Sequence, residues 1–452
     1  MSQLITKEKI EEIREAIENN QVDFLLTMLN ELYPPDIAEI INRIDANEAR
    51  YLLSLIHKEE AAEVLMELEE DVREDLLRFL SSTELAHDVI DNLDSDDAAD
   101  LINELPGNIR QDVLSKIIDR NQAQNIADLL FYPENTAGSL MAKELVKVNI
   151  DWHVVTCIRE MRAQAAQVDK VYQVYVVNDS NVLLGLLSLE RLLIASPRDH
   201  ISELYDPDVI SVKAYQKAEE VASIMKKYDL IALPVVDELG RLIGRITIDD
   251  VLDFVHEEAE KDYQLMSGIS HDIETSDEVW KLTQGRLFWL LVALFGGILG
   301  SRVISNYENQ ISIYPEMAFF MPLIAAMAGN VGVQSSALIV QALANNSFTG
   351  SLMNKLGKEL LVGLINGLAC SLILLVYSYF FAPSFALSMT VSVALLTVIL
   401  FASMFGTFVP LALHRFKIDP ALATGPFITT SNDIVGLFIY FSIGRLMYGM
   451  FG

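Results

Sequence analysis

Cysteine is almost absent: Cys157 and Cys370 are the only two among 452 residues. They stand far apart in apolar surroundings, which argues against a disulfide framework or a zinc site. A reducing, cytosolic setting suits the soluble part of such a chain. Residues 1–20 are charged and helical in pattern and lack an apolar core, so no secretory signal is expected there. Basic residues are scarce, with 33 Lys and Arg against 63 Asp and Glu, a net charge of −30. An acidic excess of this size repels nucleic acid and anionic lipid and attracts cations. Also missing are a Walker-type phosphate loop and an aspartyl-phosphorylation motif. No ATP hydrolysis, and no enzyme activity, is therefore expected.

Against these absences stands an apolar content of 51%. The two facts conflict for one globular body, but they separate along the chain. From Arg286 onward there are five acids (Glu308, Glu316, Glu359, Asp419, Asp433) and seven bases, while the first 285 residues hold 58 acids and 26 bases. The chain reads as an acidic soluble body followed by a membrane domain. Five stretches reach the roughly 20 residues needed to cross a bilayer: 286–306, 317–343, 359–381, 386–413 and 420–446. Lys281 and Arg286 precede the first, Lys355 and Lys358 follow the second, and Arg415 and Lys417 follow the fourth. The opposite loops hold only Arg302, with Arg445 near the chain end. This bias places the N-terminus in the cytosol and the C-terminus outside, in a multi-pass protein of the cytoplasmic (inner) membrane.

Over 1–132, small apolar groups return about every 12 residues at helical spacing: Ile37, Ile40, Ile41; Leu52, Leu53; Val64, Leu65; Leu101, Ile102. Serial short helices of this kind stack into a superhelical bundle. Residues 138–262 hold an internal repeat. Tyr175-Val-Val-Asn-Asp-Ser-Asn-Val-Leu-Leu-Gly185 matches Pro234-Val-Val-Asp-Glu-Leu-Gly-Arg-Leu-Ile-Gly244. Each copy reads as strand, polar turn, strand with Gly, then helix, and the pair resembles tandem CBS modules. Gly244-x-x-Thr247-x-x-Asp250 is similar to the ribose-binding pattern of nucleotide-binding CBS modules, implying ATP or another adenine nucleotide. Thr247 reads equally as a helix cap. The first copy has Arg191 at the Asp position, which weakens that site.

Asp249, Asp250, Asp253, Glu257, Glu258, Glu260 and Asp262 fall in one helical run. Asp250, Asp253, Glu257 and Glu260 share a face, where each like-charged pair costs roughly 0.2–0.5 kcal/mol. A solvated face tolerates that cost; a face opposing other acids needs cations. Asp96 and Asp100, four apart on an earlier helix, are candidates for the opposing set. Oxygen ligands without His or Cys suit Mg²⁺ or Ca²⁺.

Within the spans, Asp433 lies in Thr429-Thr-Ser-Asn432-Asp433-Ile-Val-Gly436, and the second span carries Gly329-Asn330-Val-Gly332-Val-Gln334. An intramembrane acid is a functional suspect because of its cost, although it can also bond a neighbouring helix. At Gly329-Asn-x-Gly-x-Gln334 and Asp419-Pro-Ala-Leu…Asp433 the chain resembles the MgtE family of magnesium channels over nearly its whole length. The resemblance implies an all-α superhelical N-terminal domain (1–132), an α/β tandem CBS domain (138–262), a linker with a connecting plug helix (263–285) and an α-helical five-span pore domain (286–452). It further implies a homodimer in the lipid bilayer that conducts Mg²⁺ and is closed by cytosolic Mg²⁺. The pore acid falls on Asp433, with Asn330, pore-facing backbone at Gly425 and Thr429, and Asp419 either a second ion site or a plain cap. Sensing acids fall on Glu63, Asp96, Asp100, Asp229, Asp250, Asp253, Glu258 and Asp262. Lys217 and Lys261 stand where the family has acids, which bears on the number of sensing ions. Two other readings remain: the same fold carrying Co²⁺ or Mn²⁺, and a membrane-tethered sensor without a pore. The absence of His from the spans favours a hard, hydrated ion, and the polar residues within them argue against the second.

Overall fold

A computed structural model describes residues 6–451 apart from 167, 169, 271–272, 274–278, 345–351 and 424. The chain divides into two units, residues 1–256 and 257–452.

The first unit begins with short helices, from Lys7–Glu18 to Arg120–Leu129. Their lengths are set by local signals. Asp45 with Glu48, and Ser81 with Glu84, form reciprocal capping boxes. Pro34 opens the helix Pro34–Ile41. The expected apolar groups form the core: Ile37, Ile40, Ile41, Leu52, Val64, Leu101 and Ile102 are fully buried.

The repeat folds into two sheets of one design. Strands β1 (Val146–Asn149), β2 (Val174–Val177) and β3 (Leu183–Leu187) form the first; β4 (Val212–Lys213), β5 (Ala232–Val236) and β6 (Leu242–Thr247) form the second. In each, the first pair is parallel across a helix and the second is an antiparallel hairpin with an irregularity at Val176/Val177 or Val235/Val236. The repeated glycine has a matching purpose. A Cβ at Gly185 would strike the Asp206 carbonyl oxygen, and one at Gly244 would meet the Ala142 carbonyl oxygen at 2.8 Å. In both sheets the glycine admits a further backbone segment, bridged through Leu186↔Asp206 and Ala142↔Arg245. The hairpins of the two modules also join: Leu183 donates to the Gly240 carbonyl and Leu242 to that of Asn181.

The helix Ile248–Met266 runs from the first unit into the second. Five helices long and apolar enough to cross a membrane follow: Val279–Asn306, Pro315–Ala344, Met353–Phe381, Phe385–Arg415 and Gly425–Met450. They are called the first to fifth spans below. Three differ from the expected bounds by more than two residues: the first, the third, which is helical from Met353 and not from 359, and the fifth. The first is already helical at Val279, seven residues before the bilayer-length run. The fifth starts at Gly425, because Pro420–Ala423 forms a separate tight helical turn. The expected plug segment 263–285 is described as helix through Met266 and again from Val279; most of 271–278, including Asp277, lies outside the described residues.

The fourth span is the most deeply buried of the five. Small residues such as Ala394, Ala402, Ser403 and Gly406 line its buried faces and permit close helix approach. Two of its buried hydroxyls are satisfied one turn back, Thr390 donating to the Ala386 carbonyl at 2.8 Å and Ser392 to that of Ser388 at 2.8 Å. Such bonds solve the problem of a polar group where no water reaches.

Candidate functional site

The membrane unit contains a polar cavity of about 280 Å³. The second span contributes Gly329, Asn330, Val333 and Gln334, with Ala325 and Ala326; the fifth contributes Thr429 and Asp433. Gly329 makes the room, since a Cβ there would lie 3.0 Å from Thr429 Cγ2 and 3.4 Å from Asp433 Oδ1. The cavity thus joins an acid, a carboxamide on Asn330 and another on Gln334 inside helices that are otherwise apolar. Such a wall can hold a cation through its water shell, the way Mg²⁺ is usually bound.

Gly425 and Asp419 lie outside this lining. Gly425 has a positive φ of 39°, and its carbonyl oxygen accepts the Thr429 hydroxyl at 2.9 Å. A Cβ at Gly425 would collide with the Met266 carbonyl oxygen, so the fifth span starts directly against the end of the preceding helix. Gly268, also left-handed, sits against Pro426 in the same place. Asp419 is exposed, and its Oδ1 accepts the Ala421 N–H at 2.8 Å. It caps the turn Pro420–Ala423 and not the fifth span itself.

The first unit carries a second candidate region. Carboxylate oxygens of Asp94, Asp96 and Glu144 lie within 4.8 Å of one another. Burial, then Asp250, Asp97, Asp94 and Glu144, push the Asp96 carboxyl well above its ordinary range. Asp97 is pushed up to about 7 by burial and then by Asp250, Asp94, Asp249 and Glu67. Burial likewise raises Asp250, and burial with Asp253 raises Glu67. Asp250 is thus close enough to act on Asp96. Four partners were not singled out from sequence: Asp94, Asp97, Glu144 and Glu67. Arg245 was missed as well. It is buried, its guanidinium reaching Asp94 Oδ2 at 3.4 Å and the Glu144 carbonyl oxygen. No local pattern marks these residues, because Arg245 and Asp94 are 151 positions apart.

The other expected sensing acids are less concentrated. Glu63, Asp100 and Asp253 are exposed on their helices. Asp229 is an exposed left-handed residue, φ 52°, ending the helix Ala218–Tyr228. In the second unit, Glu258 pairs with Lys261 at 3.4 Å and Asp262 is half-buried. Lys217 precedes the helix Ala218–Tyr228 as its cap residue.

Thr247 and Asp250 are bonded to each other. Thr247 Oγ1 donates to Asp250 Oδ2 at 2.6 Å, and the Thr247 N–H donates to the same oxygen at 3.0 Å. The pair caps the helix Ile248–Met266. The first module has a larger cleft of about 680 Å³ lined by Tyr172, Gln173, Ser188, Glu190, Arg191, Asp206 and others. Arg191 there donates to the Leu204 carbonyl at 3.2 Å.

The comparisons with known proteins cover both units. Residues 32–135 match the MgtE intracellular N domain, 137–198 and 201–257 the CBS domain, and 321–443 the MgtE divalent cation transporter family. The magnesium transporter MgtE of Bacillus subtilis is 32% identical over 92% of this chain and 92% of its own length. That of Thermus thermophilus is 32% identical over 96% of this chain and 97% of its own. Among solved structures, the cytosolic domain of the Mg²⁺ channel MgtE in complex with ATP is 33% identical with a TM-score of 0.51, over 54% of this chain and 99% of that one.

Proposed function

The chain belongs to the MgtE family, and from that premise we propose that it carries Mg²⁺ through a pore at Asp433 and is closed by cytosolic Mg²⁺. The observation that carries the reading is the polar cavity: an acid, Asn330 and Gln334 gathered inside apolar spans. In a two-fold homodimer two Asp433 carboxylates balance one dication, which stays hydrated because Mg²⁺ sheds its waters reluctantly. Asp419 would add an acid at the pore mouth, with Gly425 and Thr429 lending backbone oxygens. The sign of the Lys and Arg bias supports a cytosolic N-terminus and an external C-terminus.

The sensing ions belong with the acids of the first unit. Asp96 faces Asp250 in surroundings that penalise their charges, so a cation that binds there offsets that penalty. Hard carboxylate oxygens are the donors Mg²⁺ takes. Glu63, Asp100, Asp229 and Asp253 are the outer members of that set, and Glu258 and Asp262 are further sensing candidates in the second unit. The close seating of Gly425 and Pro426 on residues 266–268 supports a mechanical link: the segment leaving the helix Ile248–Met266 touches the start of the Asp433 helix. The test is Mg²⁺ uptake in a magnesium-transport-deficient host. Growth rescue lost with Asp433→Asn supports the reading; unimpaired rescue overturns it.

An adenine nucleotide is the second ligand. The related channel domain was solved with ATP, and here the first-module cleft offers the volume, with Tyr172 to stack a base. Thr247 and Asp250 offer the ribose contact once their mutual bond opens. Equilibrium dialysis with ATP separates the two, since Arg191→Ala weakens binding only if the cleft is used.

A further inference from the structure

An acid in a cavity wall is only as well placed as the helix that carries it. Asn432 and Asp433 are consecutive, so their side chains project about 100° apart around the fifth span. Asp433 lines the cavity, whereas Asn432 is fully buried. The Asn432 amide rests on bare backbone: a Cβ at Gly332 of the second span would collide with Asn432 Nδ2 and meet Ile428 Cγ2 at 2.8 Å. The fourth span closes the same notch, because a Cβ at Gly406 would strike the Gly332 carbonyl oxygen. Three spans therefore meet where two have no side chain and the third supplies a carboxamide.

Two further observations separate this from ordinary glycine packing. Both polar atoms of the Asn432 amide are buried and without a hydrogen-bond partner among the described residues. So are Ser336 Oγ, one turn beyond Gly332, and Thr407 Oγ1, next to Gly406. An unpartnered buried amide destabilises a fold, so packing energy does not account for Asn432. The second span also receives the two neighbours separately, Gly329 against Asp433 and Gly332 against Asn432. One helix thereby reads both the position of the peg and that of the acid.

We propose that Asn432 is the positioning residue of the ion pathway: seated in the Gly332–Gly406 notch, it fixes the rotation of the fifth span and so the place of the Asp433 carboxylate. The inference rests on the reading of Asp433 as the pore acid. A helix rotation of about 20° moves a side chain at a radius of about 5–6 Å by about 2 Å. That exceeds the few tenths of an ångström separating Mg²⁺–oxygen from Ca²⁺–oxygen distances. A loosened peg therefore costs discrimination before it costs conduction.

The experiment uses the full chain reconstituted in liposomes, with Mg²⁺ and Ca²⁺ influx measured separately and thermal midpoints recorded for every variant. Asn432→Ala is expected to lower the Mg²⁺/Ca²⁺ influx ratio by at least about tenfold, since a misplacement of about 1 Å can cost a functional site up to about a hundredfold. Gly332→Ala, which evicts the amide, has the same effect, and the double variant Gly332→Ala/Asn432→Ala regains most of the ratio because the new methyl fills the emptied notch. A purely structural role would lower the midpoint and both fluxes together and leave the ratio alone. An unchanged ratio in well-folded Asn432→Ala, beside an Asp433→Asn variant that has lost Mg²⁺ influx, overturns the proposal and spares the pore reading. Unimpaired influx in Asp433→Asn overturns both. Should Asn432→Ala not fold, failure of the double variant to recover the Gly332→Ala ratio overturns the proposal by itself.

Discussion

On the proposed reading, Asp433 is the residue on which the membrane half turns. A carboxylate at the centre of a bilayer costs about 2.5–3.5 kcal/mol by insertion scales, so its charge is expected to serve the ion and not the fold. Asp433→Asn should cut Mg²⁺ influx at least about tenfold while the thermal midpoint of the purified protein stays level or rises. Asp419 is the contrasting case. Its side chain already has a local task, accepting the Ala421 N–H, and Asn performs that task equally well. Asp419→Asn should therefore leave the midpoint unchanged. A fall in influx would show that the charge at the mouth is used, and we expect one of about two- to fivefold from the lost local attraction for the cation. Unchanged influx would make Asp419 a cap alone. Asp433 was legible in the sequence because one acid in an apolar run stands out by itself. Asp94, Glu144 and Arg245 were not, because their meaning comes from partners up to 151 positions away.

At the scale of elements, the strand–turn–strand repeat was readable because period and composition recur together. What the repeat could not reveal was why its glycines recur. Gly185 and Gly244 each leave space for a backbone segment that crosses the sheet edge, and that segment comes from the other module, just before its first strand. A methyl group at Gly185 meets the Asp206 backbone, which cannot swing aside as a side chain could. Gly185→Ala should therefore destabilise the soluble unit by about 1–3 kcal/mol, the usual cost of overpacking. Gly107→Ala is the control, since nothing lies within 4 Å of its Cβ, and surface changes of that kind stay within about 0.5 kcal/mol. Urea unfolding followed by far-ultraviolet circular dichroism measures both. The spans were legible from hydropathy, but their ends were not. Hydropathy reports where lipid is tolerated, and Pro420 and Gly425 decide where a helix can start.

At the scale of the whole molecule, the acidic excess is concentrated around Asp94, Asp96 and Glu144, where the proposed sensing would make the protein respond to protons and to cations. Asp96, Asp97 and Asp250 all titrate above the ordinary aspartate value of 3.8, Asp97 at about 7, because burial and neighbouring carboxylates penalise their charged forms. Between about pH 4 and about pH 7 the folded state then binds more protons than the unfolded chain, so metal-free stability falls as pH rises through that window. Mg²⁺ needs the deprotonated carboxylates, so its stabilising effect should grow over the same range. At a hundredfold excess over the dissociation constant one ion adds about 2.7 kcal/mol. The thermal midpoint in chelator should thus decline from pH 5 to pH 8, and Mg²⁺ should flatten that decline. Asp96→Asn should raise the chelator midpoint at pH 8 by removing one of the crowded charges, and should shrink the response to Mg²⁺. The same response is large enough to work a gate. Driving a two-state gate from 1:99 to 99:1 takes about 5.5 kcal/mol of differential binding. Several ions that each favour the closed state about tenfold, or about 1.4 kcal/mol, supply it. Channel current should fall, and protease protection of the soluble half should rise, over one millimolar range of cytosolic Mg²⁺. Asp96→Asn should move both curves together to higher Mg²⁺. If the protection curve moves while the current curve stays, the acids around Asp96 bind the ion without operating the pore.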